Sequence, residues 1–104
     1  MKYFKGDTLN FNYYLEVNKE KVPFNESKIY VVIYDKINNL LFKEKTFNTT
    51  KNQTDIEIIF TCDEMKNISA KDYVIEIKIL DEHIKTTYQE CLHVVESWCL
   101  NERS

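Results

Sequence analysis

Apolar and polar residues alternate with a period of two along most of this chain. Leu9, Phe11, Tyr13, Leu15 and Val17 interleave with Thr8, Asn10, Asn12, Tyr14 and Glu16. Alternate residues of a strand face opposite sides, so this pattern predicts a half-buried strand with Tyr14 on its outer face. Residues 18 to 27 break the alternation with polar residues and the only proline, which reads as a loop, with Val22 and Phe24 as plugs for the end of a core. Lys28 to Asp35 is apolar on both faces, as a central strand should be.

Lys36-Ile37-Asn38-Asn39 predicts a turn, because Asn tolerates positive φ and can stand in for a missing glycine. Strands are then expected over Leu40 to Phe47 and Asp55 to Thr61, with a polar loop at Thr49 to Thr54 between them. Asp63 to Ile68 opens with a cap-like Asp and is too short for a lasting helix, so it predicts one helical turn with Met65 and Ile68 pointing inward. Asp72 to Leu80 alternates again, with Tyr73, Ile75, Ile77 and Ile79 on one face. After a turn at Asp81-Glu82-His83, Ile84 to Tyr88 and Cys91 to Val95 bring the count to about seven strands.

Seven short strands with frequent turns and no amphipathic helix predict an all-β fold, an immunoglobulin-like Greek-key β-sandwich, with a small closed barrel as the alternative. The 104 residues suit a single domain over 1–104. Hydrophobic residues make up 43% and charged residues 30%, enough apolar side chains for a core and too many for a disordered chain.

The net charge of −3, with both signs scattered, offers no basic stripe to phosphates, so nucleic acid is not expected as a partner. No apolar run approaches the roughly 18 residues of a membrane helix, and the start of the chain has no signal-peptide core, so neither a membrane partner nor secretion is expected. Cys62, Cys91 and Cys99 are odd in number and predict free thiols.

Candidate chemistry is sparse. Cys91-x-His93 is the best metal-ligand pair, since residues two apart on a strand face the same way, with Cys62, His83 or Cys99 as possible further ligands. No paired CxxC or HxxxH knuckles accompany it, so a core thiol beside a surface histidine is the expected arrangement and no metal or other cofactor is assigned. A Cys or Ser nucleophile with His and an acid exists on paper only, and one glycine cannot build a phosphate-cradling loop. Asp55 with Glu57 reads as a solvated strand face rather than an acid pair. The chain is therefore expected not to be an enzyme.

Tyr14, Tyr30, Tyr34 and Tyr88 are candidates for an exposed aromatic row of the kind that holds sugars. Trp98 and Leu100 follow the last strand, where a solvated tail would be polar, and with Tyr14 they form the expected interface set.

Gly6-Asp7-Thr8 before an alternating strand, Val22-Pro23-Phe24-Asn25-Glu26-Ser27 before a buried one, the acidic turn Asp63 to Ile68, Lys71-Asp72-Tyr73, and Glu90-Cys91-Leu92-His93-Val94 together carry a resemblance. They resemble the immunoglobulin-like domains of phage tail and baseplate proteins, the N-terminal domain of the upper baseplate protein in particular. The chain lacks that family's glycines before Tyr73, near His83 and before Leu92. The resemblance implies a phage or prophage virion structural protein, made in the bacterial host cytoplasm and assembled into the virion. It would act by self-association into a homo-oligomer and by docking to other phage structural proteins, with edge-strand pairing as one route. A carbohydrate-binding or adhesion module is the alternative.

Overall fold

The computed structural model describes residues 1–80 and 84–96, with the backbone alone for 84–87. Eight strands run in chain order: β1 (Lys2–Phe4), β2 (Leu9–Val17), β3 (Glu20–Val22), β4 (Lys28–Asp35), β5 (Leu41–Asn48), β6 (Asp55–Phe60), β7 (Asp72–Leu80) and β8 (Ile84–Val95). They form a five-stranded sheet in the order β1-β8-β7-β4-β5 and a three-stranded sheet in the order β3-β2-β6. The architecture is all-β, an immunoglobulin-like sandwich of two sheets.

The alternating residues supply the filling. Ile29, Val31 and Ile33 of β4, Ile75 and Ile77 of β7 and Leu92 of β8 are fully buried from the large sheet, and Ile58 and Phe60 of β6 meet them from the small one. Aromatic contacts tie the layers: Tyr13 stacks on Phe24 at 6.2 Å between centroids, and Phe47 meets Phe60 edge-on at 6.4 Å. Phe24, at 2% exposure, is the plug that its place in the polar segment suggests. The β4 backbone is central, flanked antiparallel by β7 and β5.

The strand inventory differs from the expected seven in three places. Residues 84–95 form one strand rather than two, its pairing with β7 carrying a register shift at Ile77/Lys78. The expected loop at 18–27 contains β3: Asn18 and Lys19 both take positive φ, 52° and 67°, and close a two-residue hairpin that pairs Val17 with Glu20. The start of the chain forms β1, which runs parallel to β8 with Tyr3 opposite Val94. The short helical turn is capped by Thr61 rather than Asp63. The Glu64 N–H donates to Thr61 Oγ1 at 3.2 Å and the Thr61 N–H donates to Glu64 Oε1 at 2.9 Å, the reciprocal arrangement of a capping box. Met65 and Ile68 point inward as expected, each 2% exposed. The turn expected at Asp81-Glu82-His83 lies outside the described residues.

Candidate functional site

The β4–β5 hairpin presents apolar side chains to solvent. Ile37 is 84% exposed, Leu40 67% and Leu41 57%. Isolated exposed aliphatics are ordinary, but three within five residues form a patch. The turn is held firmly. The buried Asp35 carboxylate accepts the N–H groups of Ile37 at 2.9 Å and Asn38 at 3.1 Å through Oδ1. Its other oxygen pairs with Lys71, and Asn39 supplies the left-handed residue at φ 55°. The Lys71 ammonium, aided by these N–H groups, holds the Asp35 carboxyl at about 2, well below its ordinary 3.8.

Behind the hairpin the outer face of the large sheet carries a shallow recess of about 370 Å³ lined by Val32, Tyr34, Asn39, Leu41, Glu76 and Lys78. Tyr34 and Glu76 form its polar floor, with the Tyr34 hydroxyl donating to Glu76 at 3.4 Å and Lys78 pairing with the same carboxylate at 3.1 Å. Burial opposes ionisation of Glu76, but hydrogen bonds from Gln89 and Lys78 outweigh it and hold this carboxyl below its usual range. Burial raises the Tyr34 hydroxyl pKa, and the Glu76 charge adds to it. The recess is thus lined by aliphatic walls with one anchored anion and one cation.

The expected interface set is only partly described. Tyr14 is 41% exposed on the small sheet, with the Lys21 ammonium 4.6 Å above its ring and that lysine also paired with Asp55 at 2.8 Å. Trp98 and Leu100 lie outside the described residues. The hairpin patch was missed by sequence reasoning, although Ile37, Leu40 and Leu41 around Asn38-Asn39 were its visible signal.

The aromatic row is not assembled. Tyr30 and Tyr34 share the outer face of the large sheet, Tyr14 is on the other sheet, and Tyr88 packs edge-on against the core ring of Tyr13 at 6.0 Å. Burial, with help from Glu90, pushes the Tyr88 hydroxyl up to about 12. Of the suggested metal ligands, Cys91 and His93 do share a face, but Cys91 is half-buried on the outer side of β8 rather than in the core. Cys62 is an exposed free thiol elsewhere, and His83 and Cys99 lie outside the described residues.

No family model and no curated protein matches the chain. Among solved structures it is similar to a lytic polysaccharide monooxygenase of Jonesia denitrificans, with a TM-score of 0.51 and 14% identity over 92% of this chain. The chain spans 56% of that structure, a little over half its length. At this identity the likeness concerns the fold alone. It nevertheless corrects one expectation. A sandwich of this architecture carries an enzyme in that protein, so the expectation that the chain is not an enzyme, drawn from a motif-poor sandwich, is overturned.

Proposed function

We propose that this chain is a phage or prophage virion structural protein, a tail or baseplate component that associates with itself and docks on other tail proteins through side-chain complementarity. The observation that carries the reading is the rigid hairpin offering Ile37, Leu40 and Leu41 beside a recess with a fixed anion and cation. The motifs shared with phage tail and baseplate domains support the same reading.

Docking by strand addition is less favoured than docking by the hairpin. β1 and β3 are three residues long, and β5 carries Lys43 and Lys45 on its inward side, charges that oppose extension of a sheet. Light scattering across a concentration range tests the reading. A closed oligomer that dissociates when Ile37 and Leu40 are both replaced by Lys is the expected result. A wild-type monomer at every concentration, or an oligomer indifferent to those substitutions, overturns self-association through this patch.

A carbohydrate-binding role has one specific support: Tyr34 and Leu41 line an open recess on a sandwich whose structural neighbour is named for its action on polysaccharide. Retention on insoluble polysaccharide that is lost in Tyr34→Ala would favour it over the assembly role.

A further inference from the structure

Asp72, Cys91 and His93 converge on one point of the large sheet's outer face. The β7–β8 ladder sets Asp72 directly opposite His93 and Val74 opposite Cys91. Leu92 and Val94 turn inward at 0% and 4% exposure, so the period of two turns residues 91 and 93 outward on the same side as Asp72. Asp72 Oδ1 lies 2.7 Å from His93 Nδ1, and Cys91 Sγ lies 3.9 Å from that same nitrogen. All three ligand atoms fall within 4.8 Å of one another.

Two readings of a Cys, His and Asp cluster compete, and the shared nitrogen separates them. A nucleophile relay needs the thiol and the carboxylate on opposite ring nitrogens, so that one orients the imidazole while the other exchanges a proton with it. Here both address Nδ1, an arrangement that suits donors gathered around a cation better than a relay. With bonds of about 2.0 to 2.3 Å, tetrahedral ligand atoms stand roughly 3.3 to 3.7 Å apart. The 2.7 Å and 3.9 Å separations bracket that range, and half-exposed side chains can reach it by rotation without backbone movement.

We propose that Asp72, Cys91 and His93 form a three-ligand site for a divalent cation of the zinc class, with the fourth position open to solvent. Thiolate and imidazole favour such a borderline ion, whereas magnesium and calcium seek all-oxygen shells. The thiolate and carboxylate together balance a dication, and the thiol proton passes to solvent on binding. Lys2, paired with His93 across the β1–β8 ladder, directs its ammonium over the Phe4 ring at 5.6 Å. The site needs neither the hairpin patch nor an assembly partner.

Titration of the reduced full-length chain with zinc, and with cobalt(II) as a spectroscopic probe, tests this. One equivalent should bind, with thiolate-to-cobalt charge-transfer absorption. Cys91→Ser should abolish that absorption, and His93→Gln and Asp72→Asn should each weaken zinc binding by at least about tenfold. Cys62→Ser should bind like the wild type, and circular dichroism should show every variant folded. Absence of binding, or binding unaltered by Cys91→Ser, or by His93→Gln should the first variant not fold, overturns the proposal.

Discussion

Lys45 on the edge strand β5 donates a hydrogen bond to the carbonyl oxygen of Ile59 on β6 at 2.8 Å, joining the open edge of the large sheet to that of the small one. The same ammonium pairs with Glu64 at 2.7 Å and lies 5.4 Å and 5.6 Å from the ring centroids of Phe47 and Phe60. A cation placed there satisfies an edge carbonyl and opposes the approach of another strand.

Replacing Lys45 by Met should therefore do two things. The ion pair is partly exposed and contributes about 0.2 to 1 kcal/mol, so a small loss of stability is expected in urea denaturation. A larger effect should appear as concentration-dependent association, read by light scattering, because the edge loses its guard. A variant as monodisperse as the wild type would show that Lys45 does not protect the edge.

Acid should weaken the fold through carboxylates that are hydrogen-bonded in the folded state. The folded-state pKa of Asp35, about 2, lies below its ordinary 3.8, so its contribution is fully present above pH 3.8 and disappears as pH falls through about 2. Hydrogen bonds from Lys45 and Tyr88 respectively lead in lowering Glu64 and Glu90, which adds loss of stability below their ordinary 4.5. Urea midpoints measured from pH 6 to pH 2 should fall, and Asp35→Asn should flatten the part of the curve below about pH 4. An unchanged slope in that variant would remove Asp35 from the acid response.

Gly6 closes the turn from β1 toward β2. The Asp7 N–H donates to the Phe4 carbonyl at 3.1 Å, with Gly6 at φ 97° in the third position of a type II turn. A Cβ there would meet nothing within 4 Å, so the cost of Gly6→Ala comes from backbone conformation alone, roughly 1 to 2 kcal/mol. Denaturant titration should show that loss with the m-value unchanged.

Two isoleucines on one hairpin should respond in opposite ways. Ile33 is fully buried, so Ile33→Ala should cost about 2 to 5 kcal/mol. Ile37 is 84% exposed, and Ile37→Ala should stay within about 0.5 kcal/mol while weakening self-association. Thermal unfolding and light scattering on the same two variants distinguish core from surface.

Much of the fold was legible because its signals are local. The nine residues of β2 have the bounds that alternation marks, the eight of β4 those of the run that is apolar on both faces, and the inward rows of β6 and β7 are the buried ones. Burial follows directly from side-chain periodicity in a strand. The capping box was legible too, since Thr61 and Glu64 stand at the required spacing, but Asp63 is the stronger capping residue type and drew the assignment. The short strands β1 and β3 were not legible: three residues carry too little period, and what makes them strands is a neighbour, β8 for one and β2 for the other.

The sequence by itself determined an all-β chain, most of the residues that fill the core, and that Cys91 and His93 share a face. It did so because each of these depends on residues close together along the backbone, whereas Val17, in the alternating row of β2, is 57% exposed and Tyr3, outside any alternating run, is buried. Only the tertiary structure decided that Asp72 joins that pair, that Lys45 spans the two sheets, and that the exposed hairpin lies beside a recess floored by Tyr34 and Glu76. Each brings together groups 14 to 42 residues apart, whose meeting depends on strand register and sheet order. Those are set by the packing of the whole core, and no short stretch of the chain contains them.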